Sequence, residues 1–155
     1  MSNIGPCLWF NGNAGAAAGF YCATIPNARM IRTVPAPGGP ADSILTAQFE
    51  LDGIEFLAIN GGPQYTHSPA ISFIIKCDMQ EEVDRLWSAF TADGGVESQC
   101  GWLTDKFGVS WQIVPRAFLR MVSSNDSAAV RRVFAAMMPM KKLDVAVLER
   151  AFRNE

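Results

Sequence analysis

The sequence predicts an α+β fold made of a duplicated β-α-β-β-β unit followed by a helical tail. Three observations carry this. An extended apolar run, a short helix and a strand hairpin follow one another from Ile4 to Asn60, and the same order returns from Ala70 to Val114. Asp52-Gly53 separates two runs of β-type residues and is the two-residue signal for a type I′ hairpin. Val83, Leu86, Trp87 and Phe90 recur at helical spacing, the stripe of a helix that packs on a sheet.

In the first copy, Ile4 to Phe10 reads as a strand closed by the turn-forming Asn11-Gly12. Asn13 is a good N-cap, because its side chain can accept from a free N–H of the first turn, for a helix running to about Cys22. Ala14, Ala17, Ala18 and Tyr21 share one face of that helix, small enough to sit close on a sheet, and Pro26-Asn27 stops it. Ala28 to Val34 is the second strand, and Pro35-Ala-Pro-Gly-Gly-Pro40 is a loop with few ladder donors. Ile44–Leu51 and Ile54–Asn60 flank the hairpin turn. That turn pairs Leu51 with Ile54, Phe49 with Phe56, Ala47 with Ala58 and Leu45 with Asn60, so these residues share one face. Thr46, Gln48, Glu50, Leu57 and Ile59 take the other.

Gly61 to Pro69 is too rich in glycine and proline for a regular element and reads as the connector. The second copy starts with a strand over Ala70 to Cys77, followed by Asp78 as N-cap with Glu81 in a capping-box pattern, and Gly94-Gly95 ends the helix. The expected organisation is one domain over residues 1–155, with module one at 4–60, module two at 70–114 and helices over 116–153. In the tail, Val130, Val133, Phe134, Met137 and Met138 form one apolar stripe and Val145, Leu148, Ala151 and Phe152 another, with Asp126 and Asp144 as caps. Two readings of these stripes stand: packing on the tail's own domain, or a homodimer contact.

Composition bounds the rest. The chain has 155 residues, 49% of them apolar, enough for a real core. A net charge of −2 gives no electrostatic reason to expect nucleic acid or an anionic membrane. No apolar run reaches the roughly 20 residues of a membrane span, and no signal-peptide pattern opens the sequence, so a soluble cytoplasmic protein is expected. Cys7, Cys22, Cys77 and Cys100 lie far apart and read as reduced thiols.

Cys100-Gly-Trp-Leu-Thr-Asp-Lys-Phe-Gly-Val-Ser-Trp-Gln-Ile-Val-Pro115, the Leu8-Trp-Phe-Asn-Gly-Asn13 turn followed by Phe20-Tyr21, and Asn60-Gly-Gly-Pro63 resemble one group of proteins. It is the PhnB-like branch of the vicinal-oxygen-chelate superfamily, often labelled 3-demethylubiquinone-9 3-methyltransferase-like, whose wider membership includes glyoxalase I, bleomycin-resistance proteins and extradiol dioxygenases. The resemblance covers almost the whole chain. It implies that the two modules form a curved mixed sheet with the helices on its convex side and a ligand cavity on its concave side.

The resemblance also implies where a divalent metal would bind in metal-dependent members: one position on the first and one on the last strand of each module. Registering the motifs places these at Pro6, Ala58, Ser72 and Gln112. Proline and alanine have no donor atoms, and an amide with a hydroxyl does not compete with water for a divalent cation. No metal and no cofactor is therefore expected.

By strand alternation from those positions the cavity wall is expected to carry Pro6, Leu8, Phe10, Phe56, Ala58 and Asn60 from module one. Module two is expected to add Ser72, Ile74, Lys76, Ser110, Gln112 and Val114. A mostly apolar wall with a few polar groups suits a small molecule, although Phe10 and Phe56 are also large enough to fill the space themselves. Trp102 can stack on a planar ligand. Cys100 reads either as a structural thiol or as a nucleophile, and His67 either as a surface residue or as the one group titrating near neutral pH at the rim. The candidate ligand-binding residues are Phe10, Phe56, Asn60, His67, Ser72, Trp102 and Gln112.

Gly12-Asn-Ala-Gly15 superficially resembles a methyl-donor turn, but the acidic partner on a following strand is missing and hairpins contradict a doubly wound sheet. Two functions are left: a metal-independent module that binds a small molecule, or a metal-independent enzyme acting on a small oxygenated substrate. In the second, Gln112, Asn60 and Ser72, with His67 or Cys100, would polarise the substrate.

Overall fold

The computed structural model describes residues 3–40 and 43–155. The chain divides into two compact units, Met1–His67 and Ser68–Glu155, and each holds its own four-stranded mixed sheet.

Unit one runs β1 (Cys7–Phe10), α1 (Ala14–Thr24), β2 (Ala28–Pro35), β3 (Ile44–Leu51) and β4 (Ile54–Asn60). Its sheet order is β1-β4-β3-β2, with β1 parallel to β4 and the other neighbours antiparallel. The hairpin has the expected register: Leu51 opposite Ile54, Phe49 opposite Phe56, Ala47 opposite Ala58. Asp52 and Gly53 both take positive φ, 46° and 83°, as a type I′ turn requires. β1 starts three residues later than its apolar run, at Cys7: Ile4 is exposed, and Pro6, with no N–H to donate, offers only its carbonyl, which accepts from the Leu57 N–H at 3.0 Å.

The cap of α1 differs from the expectation. Asn13 occupies the N-cap position but its side chain makes no capping bond. Asn60, at the end of β4, does the work from across the sheet: its Oδ1 accepts from the Ala14 N–H at 2.9 Å while its Nδ2 donates to the Ile44 carbonyl at 2.8 Å. One amide thus ties the helix start to two strands. The buried side of α1 is Ala14, Ala17, Ala18 and Tyr21, as its small residues predict. Tyr21 reaches Phe49 (ring centroids 6.1 Å), which stacks on Phe56 (5.4 Å). Each such buried ring contributes about 1.5–3 kcal/mol of apolar burial.

Unit two runs β5 (Phe73–Cys77), α2 (Gln80–Thr91), β6 (Val96–Glu97), β7 (Trp102–Thr104) and β8 (Ser110–Pro115), then α3 (Arg116–Val122), α4 (Ser127–Met137) and α5 (Val145–Arg153). Its sheet order is β5-β8-β7-β6, again with the first and last long strands parallel. The stripe Val83, Leu86, Trp87 and Phe90 is buried, and Phe90 meets Trp111 at 5.1 Å. Trp87 and Trp111 are both buried, and each indole N–H has a carboxylate acceptor, Glu97 at 2.7 Å and Asp105 at 2.9 Å.

The capping box expected from Asp78 and Glu81 is displaced. Met79 is the N-cap and offers no side-chain bond. Glu82 reaches back to accept from the Asp78 N–H at 3.1 Å, leaving the Asp78 carboxylate to pair with Arg116 at 3.1 Å. In the tail, Asp126 and Asp144 cap as expected: Asp126 accepts from Ala128 and Ala129, and Asp144 from Val147. Much of the two stripes is consumed within the unit, where Ala117, Met121, Val133, Met137, Leu143 and Leu148 form one buried cluster. No helix among the described residues is long and apolar enough to cross a membrane.

Candidate functional site

The two sheets turn their expected ligand faces differently with respect to their own helices. In unit one, strand alternation grouped the residues correctly, but the side is reversed. Leu8, Phe10, Phe56 and Ala58 are buried, and the Tyr21–Phe49–Phe56 series places their face beneath α1. Phe10 and Phe56 are therefore core residues, and Asn60 is the cap of α1 with both ends of its amide engaged. A period of two says which residues share a face but not which face a helix will cover. Here the aromatic face, which buries more apolar area, took the helix.

The uncovered face of the unit-one sheet carries Cys7, Trp9, Gln48, Leu57 and Ile59. Arg29 pairs with Glu50 at 2.9 Å, Arg32 donates to Gln48 at 2.8 Å, and Gln48 donates to Glu55. A shallow depression of about 310 Å³ lies there, lined by Gly5, Pro6, Cys7, Arg32, Gln48, Glu55, Phe56 and Leu57. Partial burial raises the Cys7 thiol above its ordinary value.

At the end of this unit, Gly61 packs so closely on the Trp9 indole that a Cβ would overlap the ring. Trp9 in turn donates to the Gly62 carbonyl at 2.8 Å and meets Tyr65 edge-on at 5.1 Å. His67 lies against Phe10, ring centroids 5.2 Å apart, and its Nε2 is buried without a hydrogen-bond partner.

In unit two the expected sidedness holds. Phe73, Leu103, Trp111 and Ile113 lie on the α2 side, where Phe73 and Phe90 both contact Trp111. The opposite face presents Ser72, Ile74, Lys76, Trp102, Thr104, Ser110 and Gln112. Gln112 is central: it lies opposite Ile74 on β5 and opposite Trp102 on β7. Its Nε2 donates to the Ser72 hydroxyl at 2.9 Å. Ile74 is 52% exposed, a branched apolar side chain left open beside this polar pair. Ser110, opposite Thr104, is buried and its hydroxyl has no hydrogen-bond partner. Three of the seven residues singled out by sequence, Ser72, Trp102 and Gln112, thus come together on one face of unit two.

Cys100 is spoken for. Its thiol lies 3.8 and 3.9 Å from the carbonyls of Met137 and Met138, packed against the tail cluster. Sequence reading passed over Asp105, the buried carboxylate that organises the β7–β8 turn: Oδ1 accepts from Phe107 and Val109 at 2.8 and 3.0 Å, and Oδ2 from the Trp111 indole. The signal was present as an aspartate three residues before a glycine between two strands, an Asx-turn composition.

The residues do not fit a divalent metal. In unit one, Pro6 and Ala58 lack donor atoms, and the residues that replace them on the uncovered face, Cys7 opposite Leu57 and Trp9 opposite Ile59, offer one thiol between them. In unit two, Ser72 and Gln112 are neutral and bonded to each other. Among the described residues no three His, Cys, Asp or Glu side chains are grouped to hold an ion.

Comparison with known proteins agrees with this architecture. The sequence profile of the 3-demethylubiquinone-9 3-methyltransferase family matches residues 2–114. Among solved structures, a putative 3-demethylubiquinone-9 3-methyltransferase, PhnB protein, from Bacillus cereus is 29% identical, with a TM-score of 0.67 over 74% of this chain and 99% of its own. A glyoxalase/bleomycin resistance protein from Albidiferax ferrireducens (16% identity, TM-score 0.50, 74% and 99%) shares the fold. So does a fosfomycin resistance protein from Listeria monocytogenes (15%, 0.50, 74% and 93%). No curated protein sequence matches the chain. With its duplicated β-α-β-β-β units and a profile match over most of its length, the chain belongs to the 3-demethylubiquinone-9 3-methyltransferase-like (PhnB) family.

Proposed function

We propose that this protein is a metal-independent small-molecule-binding member of its family, and that the ligand lies on the open face of the unit-two sheet against Trp102, Gln112 and Ser72. One observation carries the reading: Gln112 sits between Trp102 and Ile74 in register, so an amide with one donor already committed to Ser72 is framed by an aromatic and an aliphatic surface. Trp102 offers a rigid stacking plane, and the unpartnered Ser110 hydroxyl adds a buried polar group on the same face. This chemistry suits a small planar molecule carrying at least one hydrogen-bonding oxygen or nitrogen.

The test is a thermal-shift screen of planar metabolites and antibiotics, followed by titration of the best hit against Trp102→Ala, Gln112→Ala and Cys100→Ser. We expect about 5- to 150-fold weaker binding for the first two, the effect of one lost buried hydrogen bond or stacking surface. Cys100→Ser should bind like the parent. Loss confined to the Cys100 variant would instead point to thiol chemistry.

His67 favours a second reading, a metal-independent enzyme acting on a small oxygenated substrate, because its buried Nε2 has no partner. If any hit is turned over, His67→Gln should lower kcat on the order of 100-fold, the usual loss of a general acid–base group. An unchanged kcat removes this reading.

A homodimer and a cytoplasmic location belong to the same proposal. Four free cysteines suit a reducing compartment. Phe134 and Met138, 43% and 62% exposed, are the part of the α4 stripe that packing within the unit leaves uncovered. Sedimentation equilibrium at micromolar concentration should return a dimer that Phe134→Glu converts to monomer. A monomeric parent protein would sink the dimer.

A further inference from the structure

We infer that the C-terminal extension of this chain positions the ligand face of unit two, by clamping the turn that delivers Trp102. The inference rests on the reading of Trp102 and Gln112 as that face. The extension lies outside the fold shared with relatives: the family match ends at Val114, and the structural neighbours span 93–99% of their own lengths while covering 74% of this chain.

The turn entering β7 makes two bonds of its own, from the Ser98 N–H to the Trp102 carbonyl at 2.9 Å and from the Trp102 N–H to the Gln99 carbonyl at 3.0 Å, but neither engages the amides of Cys100 and Gly101 at its tip. Cys100 and Gly101 take consecutive left-handed conformations, φ 58° and 85°, which an L side chain at Cys100 adopts only when its surroundings impose it. The extension supplies those surroundings. The Cys100 N–H donates to the Met140 carbonyl at 2.8 Å and the Gly101 N–H to the Lys141 carbonyl at 2.7 Å. The Gly101 carbonyl accepts from the Ile113 N–H at 2.8 Å, so the same residue joins the extension to β8. Space is equally tight, since a Cβ at Gly101 would meet the Leu143 side chain at 3.2 Å and the Ile113 oxygen at 3.0 Å.

The 137–143 segment is itself fastened at both ends. Leu143 is buried in the tail cluster, and Gln80 of α2 donates to the Leu143 carbonyl at 3.1 Å while accepting from the Val145 N–H at 2.8 Å. Lys141 and Lys142 add ion pairs to Glu97 and Asp84 at 3.2 and 2.6 Å. Trp102 follows Gly101 directly and lies opposite Gln112, so a turn fixed at two consecutive amides leaves the indole's backbone no freedom to drift. Gln80 and Leu143 are accordingly positioning residues: they touch the clamp, not the ligand face.

The experiment uses the full chain and needs no ligand. Label the protein with 5-fluorotryptophan, assign the Trp102 resonance with Trp102→Phe, and compare the parent with Gln80→Ala and Gly101→Ala by fluorine NMR and by amide hydrogen exchange. In the parent the Cys100 and Gly101 amides should be protected. Each variant should lower that protection on the order of tenfold and shift or broaden the Trp102 line, with the Trp9 and Trp111 lines unchanged as evidence of an intact fold. Amides that exchange freely in the parent, or that stay protected in both variants, overturn the clamp. Lower protection with an unmoved Trp102 line overturns the positioning. Either failure leaves the ligand reading standing, because that is judged by titration of Trp102→Ala and Gln112→Ala.

Discussion

Units one and two repeat one topology and use it in opposite ways. In unit one a long hairpin of eight- and seven-residue strands turns its aromatic face, Phe49 and Phe56, to a helix whose buried side is three alanines and a tyrosine. The face left open is tied up by its own polar groups, Arg29 with Glu50, and Arg32 with Gln48, which donates in turn to Glu55. In unit two β6 and β7 are only two and three residues long, the helix brings the bulk through Leu86, Trp87 and Phe90, and the open face keeps Ser72, Trp102 and Gln112. The difference teaches that a duplicated fold does not duplicate a site. In both units the face under the helix carries large apolar side chains, Phe49 and Phe56 in one and Phe73, Leu103 and Trp111 in the other. The difference lies in the open face, closed by polar and charged pairs in unit one and left with an amide, a hydroxyl and an indole in unit two.

The contrast can be broken most sharply at the residues that brace each unit. Asp105→Ala strips the acceptor from two backbone N–H groups and the Trp111 indole, all drawn to one buried carboxylate. A loss of about 3 kcal/mol in urea unfolding is expected, from several buried donors left unpaired. Asp105→Asn, which keeps one acceptor oxygen, should recover part of it. An Asp105→Ala loss below about 1 kcal/mol would mean that water replaces the carboxylate and that the short β7–β8 turn needs no brace.

The corresponding brace in unit one is Asn60. Asn60→Ala removes both the α1 cap and the bond to the Ile44 carbonyl. About 1–2 kcal/mol is expected, the range for a lost helix cap. Ligand affinity on unit two should not change, whereas a large loss of affinity with unchanged stability would return Asn60 to the ligand site and undo the comparison.

The smallest effect is on the acid side. Among the described residues, the carboxylates held below their ordinary range are in unit two: Asp84 by hydrogen bonds from Lys142 and Gln80, Glu97 by those from Trp87 and Lys141, and Asp126 by the backbone N–H groups of Ala129 and Ala128. A carboxylate with a depressed folded-state value adds stability above its unfolded value, about 4, and loses it as pH falls through the folded one. Hydrogen exchange followed downward from pH 5 should therefore show unit-two amides losing protection first. Simultaneous loss in both units would show that the exposed pairs contribute nothing separable.

Much of the fold was legible in the sequence. Asp52-Gly53 specified the hairpin and its register, because only a pair of residues tolerant of positive φ closes a type I′ turn. The α2 stripe and the caps at Asp126 and Asp144 were equally local, each set by spacing within a few residues. That Trp102 and Gln112 share the face of unit two away from α2 was legible for the same reason, since both lie on strands whose alternation is regular, with Ser72 just ahead of β5.

What the chain could not disclose by itself involves partners distant in sequence. The cap of α1 comes from Asn60, 46 positions away from the Ala14 amide it serves, while the Asn13 beside it is idle. The choice of which hairpin face α1 covers was decided by how much apolar surface each face could bury against Tyr21, a property of the packed pair and not of either segment. The bracing of Cys100 and Gly101 by Met140 and Lys141 depends on a helical tail folding back some 40 residues later. Local residue types determine elements, turns and alternation, because torsional and steric preferences act within a few residues. Sidedness, long-range caps and clamps are decided only in the tertiary structure, where competing surfaces are compared for burial and free backbone groups take whichever partner arrives within about 3 Å.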